Sequence, residues 1–156
     1  MRATILAIIF PLPALAACPG ETLVSCPIGA NQLQVCNEGN LLTYSFGPPG
    51  APDLQLASKP ELAYTPWNGI GRTMWETITF TNRNFTYEVV FSFDRLEENA
   101  SPKWGVTVID GNEIAATLTC ADQAGNIPFD GLYDQISATG LCWNRESASW
   151  ASSCPD

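Results

Sequence analysis

Histidine is absent from this sequence of 156 residues. Serine and cysteine nucleophiles are usually activated by an imidazole, and most catalytic zinc sites contain one as well. The sequence therefore argues against those classes of enzyme. Basic residues are also few, since 7 Lys and Arg stand against 16 Asp and Glu, which gives a net charge of −9. Such a surface repels phosphate backbones, so we expect no nucleic-acid binding and, if a partner exists, a basic protein.

Beyond residue 17 the chain lacks any apolar run of the roughly 18 residues that a membrane-spanning helix needs. Residues 1–17, MRATILAIIFPLPALAA, contain one Arg, then an apolar run, then small residues. This order is typical of a secretory signal peptide. We therefore predict a signal peptide over 1–17 and a single disulfide-stabilised β domain over 18–156. The product would be periplasmic or secreted, and its acidity could serve solubility alone.

Six cysteines are present but no CxxC pair, which together with the missing histidine argues against zinc and leaves no predicted metal or cofactor. Six cysteines behind a signal peptide indicate three disulfides. The cysteines concerned are Cys18, Cys26, Cys36, Cys120, Cys142 and Cys154. Six cysteines allow 15 pairings, and the sequence leaves them open. A turn centred near Asn31 would set Cys26 opposite Cys36, and a helix folded back on the second hairpin would let Cys120 meet Cys142. In that scheme Cys18 remains for Cys154.

An alternative fate exists for Cys18, because Leu15-Ala16-Ala17-Cys18 resembles the lipobox at which bacterial lipoproteins are cleaved and acylated. The protein would then carry a lipid anchor on Cys18. Acylation would also leave five other cysteines, an odd number, which is unfavourable in an oxidising compartment. We therefore favour a disulfide at Cys18.

The longest alternation of apolar and polar residues lies between Thr73 and Phe93 and is interrupted by Asn82-Arg83. This pattern predicts a long antiparallel hairpin. A second hairpin is predicted over 103–120, where Asp110-Gly111 favours a tight turn and Ile114 would face the core. A third is predicted over 22–36, with a turn centred near Asn31.

The remaining pattern predicts strands over 40–46 and 53–57 and one short helix over roughly 130–139. We therefore expect a mainly β fold. It would comprise about eight short antiparallel strands in a small barrel or curled sheet, with one short C-terminal helix and disulfide cross-links.

The segment 58–72 has no steady period and contains two prolines and two glycines. Long connections of this kind are often functional. Tyr64, Trp67 and Arg72 lie in it, and Trp, Tyr and Arg are the residue types enriched at binding hot spots. We predict a binding site at these three residues, with the alternative that Trp67 folds inward to close one end of the barrel.

Glu76 lies on the predicted core-facing side of the central hairpin, together with Met74, Ile78 and Phe80. A buried carboxyl group can serve as an acid in glycoside hydrolysis, which needs a pair of carboxylates. The pattern provides no second acid beside Glu76. The simpler interpretation, which we favour, is that Glu76 lies at a strand end or pairs with Arg72 or Arg83, so we predict no catalytic residue.

Residues 25–56 contain two cysteines about ten residues apart, then LTYSFG and a Pro-Gly turn before a second strand. This run resembles a pattern in small exported bacterial proteins of unknown function, which implies an exported β protein and no particular activity. The expected architecture also resembles the periplasmic lysozyme inhibitors, which block lysozyme with a Ser-Gly-x-x-Tyr loop. This sequence lacks that motif, and its nearest loop, Trp67–Arg72, departs from it.

The leading hypothesis is therefore an exported, non-enzymatic binding protein, with inhibition of a basic, lysozyme-like enzyme as its most specific form. One alternative is a structural envelope protein or lipoprotein. The other is a carboxylate-dependent hydrolase built around Glu76.

Overall fold

The computed structural model describes residues 18–121 and 129–153. The first sheet contains four antiparallel strands in chain order. They are β1 (Glu21–Ile28), β2 (Asn31–Asn37), β3 (Leu42–Gly47) and β4 (Leu54–Ser58). A short helix, α1 (Pro60–Ala63), then leads to the second sheet.

The second sheet contains five antiparallel strands, also in chain order. They are β5 (Tyr64–Thr65), β6 (Thr73–Asn82), β7 (Phe85–Asp94), β8 (Lys103–Asp110) and β9 (Glu113–Thr119). Helix α2 (Asp130–Ser137) and a small hairpin, β10 (Cys142–Asn144) and β11 (Ser149–Ala151), complete the described part. Neither described helix has the length and apolar character needed to cross a membrane.

The mainly β fold with a short C-terminal helix is confirmed. Eleven strands are present in the described ranges rather than about eight, because short pairings such as β5 and β10–β11 carry little sequence signal. Within those ranges the strands form separate open sheets and not a closed barrel. The predicted helix over 130–139 ends at Ser137, and Gly140 follows with a positive φ of 89°.

The central hairpin is confirmed as β6 and β7, in continuous register from Thr73↔Asp94 to Asn82↔Phe85. Ile78 lies opposite Val89, and both side chains are fully buried. Apolar side chains from the two sheets meet in one core, where the Tyr44 ring of β3 lies 5.3 Å from the Phe80 ring and 5.7 Å from the Tyr87 ring. Burial, and then the nearby Tyr87, raise the pKa of the Tyr44 hydroxyl well above its ordinary value.

The predicted register of the β1–β2 hairpin is wrong. Its turn is Gly29-Ala30, with Ile28 opposite Asn31, and not a turn centred on Asn31. Gly29 has a φ of 61°, which suits the first position of a two-residue turn. As a result Cys26 lies opposite Leu33, and the predicted Cys26–Cys36 pairing is wrong.

The observed disulfides are Cys18–Cys36 and Cys26–Cys120. Cys142 is also disulfide-bonded, but Cys120 is bonded to Cys26, so the predicted Cys120–Cys142 pairing is wrong. The predicted pairing of Cys18 with Cys154 is wrong as well, because Cys18 is bonded to Cys36. Cys154 itself lies outside the described residues. The Cys26–Cys120 bond joins β1 to the residue after β9 and so links the two large sheets, a contact that local spacing could not indicate. Disulfides of this kind indicate an oxidising, non-cytoplasmic environment.

Ile114 does not face the core as predicted, since 70% of it is exposed. The β8–β9 register shifts between Val108 and Ile109, which places Ile114 opposite Ile109. An irregularity of this kind moves later side chains to the other face of the strand. Ala116 and Leu118, beyond the shift, are opposite Val108 and Val106 as the pattern predicts.

Candidate functional site

Two adjoining loops lie where β6 begins and β7 ends, and we call this the open end of the central hairpin. The chain enters through residues 66–72 and leaves through 95–102. The backbone N–H of Arg95 donates to the carbonyl oxygen of Arg72 at 3.2 Å. The Arg72 guanidinium also forms an ion pair with Asp94. These contacts hold the two loops together.

Five residues of these loops form what we call the tip surface: Trp67, Ile70, Arg72, Arg95 and Leu96. The Trp67 indole N–H donates to the Ile70 carbonyl oxygen at 3.1 Å, and the Arg95 guanidinium carbon lies 5.1 Å from the centre of the Trp67 ring. Ile70 is 76% exposed and Leu96 is 69% exposed. The tip surface therefore combines two solvent-exposed aliphatic side chains with an arginine–tryptophan stack.

The structure places Trp67 and Arg72 on this surface, but it places Tyr64 in the core. Tyr64 is only 2% exposed, and its ring stacks on Trp150 at 6.2 Å. The Trp150 indole N–H donates to the Tyr64 carbonyl oxygen at 3.0 Å. Tyr64 thus packs in the core at the start of the 66–72 loop and is not exposed on the tip surface. The segment 58–72 also holds regular structure that its sequence did not reveal, namely α1, which has Pro60 in its first turn, and β5.

Glu76 lies on the core-facing side of β6, as its alternation predicts, and is 6% exposed. Its Oε1 atom accepts a hydrogen bond from the Tyr64 hydroxyl at 2.9 Å. The predicted pairing with Arg72 or Arg83 is wrong: Arg72 pairs with Asp94, and Arg83 lies in the turn at the other end of the hairpin. Tyr64 replaces the expected cation because β5 pairs with β6 and sets Tyr64 opposite Ile78, next to Glu76 on the same face.

A cleft of about 390 Å³ opens above Glu76. Its lining residues are Tyr64, Pro66, Trp67, Met74, Glu76, Tyr133 and Asp134. Asp134 is the second acid that the sequence pattern did not place. It comes from α2, whose Leu132 and Ile136 are buried in the core and fix the helix.

Aromatic side chains pack around Tyr133, which lines the cleft on the side of α2. The Tyr133 ring lies 5.1 Å from the Trp150 ring, and the Trp143 ring lies 5.6 Å from the Trp150 ring. Phe129, which is fully buried, meets the Tyr64 ring edge-on at 6.0 Å. Tyr133, Asp134, Arg95 and Leu96 carry no sequence signal of a site, since only the folded chain brings them to Trp67.

The open end also perturbs one ionisable group. The Leu96 backbone N–H donates to the Asp94 carboxylate at 3.0 Å, and the Arg72 guanidinium donates to it as well. The Leu96 N–H has the largest effect and lowers the pKa of Asp94 below its ordinary value. Burial opposes it, and the hydrogen bond and the positive charge of Arg72 then lower the pKa further. Asp94 is thus held as an anion that fixes both loops.

In the described ranges, no three side chains of the His, Cys, Asp and Glu types are arranged to hold a metal ion. Every buried side-chain nitrogen and oxygen there has a hydrogen-bond partner. Comparison of the chain with family models, curated proteins and solved structures finds no match. The site therefore has to be interpreted from its own chemistry.

Proposed function

We propose that this is an exported, non-enzymatic protein that binds another protein through the tip surface. The observation that carries this proposal is the pair Ile70 and Leu96, which lie about three-quarters and two-thirds exposed on two loops that are bonded to each other. Exposed apolar side chains beside tryptophan and arginine are typical of protein-binding surfaces. Loops fixed in advance lose little conformational entropy on binding, which favours affinity.

The charge of the chain favours a basic partner. Residues 1–17 contain one Arg and no acid, so removal of this segment changes the net charge from −9 to −10. Such a charge accelerates encounter with a cationic protein. This makes a basic, lysozyme-like, envelope-directed enzyme the most specific candidate.

We place the protein in the periplasm or outside the cell and without a lipid anchor. The Cys18 sulfur is bonded to Cys36, and the same sulfur atom has no free valence for the thioether of a lipoprotein. Intact-mass measurement of the purified protein tests this point. A mass that includes a diacylglyceryl group would contradict it.

Binding and inhibition assays against a panel of lysozymes test the proposed function. The test variant is Ile70→Ser with Leu96→Ser. Its matched control is Leu62→Ser with Ile114→Ser, because Leu62 and Ile114 are 76% and 70% exposed but lie outside the tip surface. We expect the test variant to weaken binding about tenfold or more, as hot-spot truncations do, and the control to bind as the wild type does. No binding by the wild type to any lysozyme would reject this partner class, and equal loss in both variants would reject the tip surface.

A carboxylate-dependent hydrolase is the second candidate, and the presence of Glu76 and Asp134 in one cleft favours it. Two carboxyl groups that face a common cleft are the minimum for acid–base hydrolysis of a glycoside. A panel of bacterial cell-wall and other glycans tests this, with Glu76→Gln as the inactivated variant. Hydrolysis by the wild type that is lost in Glu76→Gln would replace the binding function with this one.

A further inference from the structure

The cleft above Glu76 adjoins the tip surface through a shared residue, Trp67. Its volume of about 390 Å³ falls at the lower end of the range for small-ligand sites, which is roughly 300 to 1,000 Å³. A volume of this size suits one side chain or one small molecule. A protein seated on the tip surface would therefore have its own side chains next to the cleft opening.

Among the residues that the structure describes, the lining of the cleft contains two acids and no lysine or arginine. Asp134 is exposed on α2, and the Glu76 carboxyl group is held in place by the Tyr64 hydroxyl. Carboxylates only accept hydrogen bonds, whereas lysine and arginine side chains only donate them. The two carboxylates thus match a cation better than a sugar hydroxyl, which both donates and accepts.

The walls of the cleft are mostly apolar, with Pro66 and Met74 beside the rings of Trp67 and Tyr133. Aromatic faces attract cations within about 6 Å, and lysine and arginine bury their methylene stems against apolar surface. Trp67 already makes such a contact within the protein, since Arg95 lies 5.1 Å from its ring centre.

We propose that this cleft receives a single lysine or arginine side chain of the protein that docks on the tip surface. The proposal rests on the proposed binding function and specifies the chemistry of its partner. The stem of the incoming side chain packs against Pro66, Met74 and Trp67, and its charged head reaches the carboxyl groups of Glu76 and Asp134. Charge-assisted hydrogen bonds of this kind are stronger than neutral ones.

End-blocked tripeptides test the cleft without any knowledge of the natural partner. The probes are Gly-Lys-Gly and Gly-Arg-Gly, with Gly-norleucine-Gly as a neutral control of similar shape. The readout is the NMR signal of the Trp67 indole N–H, assigned with Trp67→Phe. We expect the cationic peptides to shift this signal in a saturable way and the norleucine peptide to bind at least about fivefold more weakly.

Asp134→Asn tests the role of charge, because it keeps the shape of the side chain. This variant should weaken binding of the lysine peptide about fivefold. Asp53→Asn is the matched control, since Asp53 is an exposed acid in the β3–β4 loop outside the cleft, and it should leave binding unchanged. Equal binding of the norleucine and lysine peptides, or wild-type affinity in Asp134→Asn, would overturn the proposal. So would a shift of the Trp67 signal by chitotriose but not by the lysine peptide, which would favour the hydrolase.

The same measurements separate failure of this proposal from failure of the binding function. If the lysine peptide binds but no lysozyme does, the cleft is supported and its proposed partner class is rejected. If a lysozyme binds through Ile70 and Leu96 but the peptides do not bind, the tip surface is supported and the cleft proposal is rejected.

Discussion

The two ends of the β6–β7 hairpin differ although the same two strands form both. At one end a two-residue turn, Arg83-Asn84, closes the hairpin, and the Asn84 side chain bonds to Asp110 of the neighbouring strand. At the open end the strands continue into two loops, and these loops carry the most exposed apolar side chains of the second sheet's connections, Ile70 and Leu96.

The difference between the two ends shows which end of the hairpin can contact a partner. At the turn end, only two residues connect the strands, and the side chain of Asn84 is already bonded within the protein. Few side chains there can contact a partner. At the open end, Tyr64 bonds to Glu76 of β6, and the Arg72–Asp94 and Arg95–Arg72 contacts join the two loops, so the loops stay exposed and keep their shape. The Cys26–Cys120 disulfide joins the two large sheets that carry this end. A rigid scaffold with functional loops is the usual division in binding proteins.

Removal of the Cys26–Cys120 disulfide should have the largest effect. The bond spans 94 residues and joins the two sheets, so Cys26→Ala with Cys120→Ala should lower the free energy of unfolding by roughly 4 to 5 kcal/mol. Cys18→Ala with Cys36→Ala, which opens a span of 18 residues, should cost roughly 3 kcal/mol. Urea unfolding measures both. A larger loss in the second pair would contradict the idea that the inter-sheet bond is the main support.

Tyr64→Phe should have the next largest effect, because it removes the hydroxyl donor from the buried carboxyl of Glu76. We expect a loss of about 1 to 2 kcal/mol in the free energy of unfolding. Tyr133→Phe is the control, since Tyr133 is more than one-third exposed, and it should cost less than about 0.5 kcal/mol. Equal effects of the two variants would mean that Tyr64 supports the open end through its ring alone.

Arg83→Gly should stabilise the turn end slightly. Arg83 has a φ of 57°, whereas the corresponding first position of the turn between β8 and β9 is Gly111, with a φ of 59°. Relief of the left-handed strain, less the greater freedom of glycine in the unfolded chain, should add about 0.5 kcal/mol. The same balance with opposite sign applies to Gly111→Ala, which should destabilise the equivalent turn by about 0.5 kcal/mol. Thermal unfolding checks both variants, and a less stable Arg83→Gly would show that the arginine side chain itself supports the turn.

The smallest effect concerns the acid titration of Asp94. Its pKa is lowered in the folded protein, so its carboxylate contacts stabilise the fold above the ordinary aspartate pKa of about 3.9, and this contribution is lost as the pH falls through the lower folded value. In Arg72→Met the pKa should rise but stay below its ordinary value, because the Leu96 N–H remains. Carboxyl ¹³C NMR follows the titration. A complete return to the ordinary value would make Arg72, and not the backbone, the dominant cause.

Several parts of the fold could be predicted because they depend on local pattern. Alternation identified β6 and β7 and the core-facing side that includes Ile78 and Glu76, and Asp110-Gly111 located the β8–β9 hairpin to within one residue. Register was less secure. The Gly29-Ala30 turn displaced Cys26 from Cys36, and the irregularity after Val108 turned Ile114 outward. A shift of one residue in register moves every side chain of a strand to the other face, and any shift changes the cross-strand partners. Sequence patterns locate a turn only to within one or a few residues, so they do not determine the register.

The candidate site was predicted only in part. Trp67 and Arg72 were identified because tryptophan and arginine in a long irregular segment are typical of binding loops, and the structure places both at the open end. Tyr64 is also a residue type that is common at binding sites, but it lies in β5, which pairs with β6, and its side chain is buried in the core. The short β5 strand could not be recognised, since its pairing with β6 depends on a partner that lies 12 to 14 residues further along the chain.

By itself, the sequence determined what depends on neighbours along the chain: a mainly β protein, an acidic surface, cysteines for cross-linking, and a central hairpin with one apolar side. Tertiary structure decided which cysteines pair, that Tyr64 rather than an arginine meets Glu76, and that Asp134 of α2 joins Glu76 in one cleft. The physical reason is that strand alternation is a property of successive residues, whereas these contacts link residues that lie 12 to 94 positions apart in the chain. Whether such residues meet depends on how the sheets and α2 pack around a shared core.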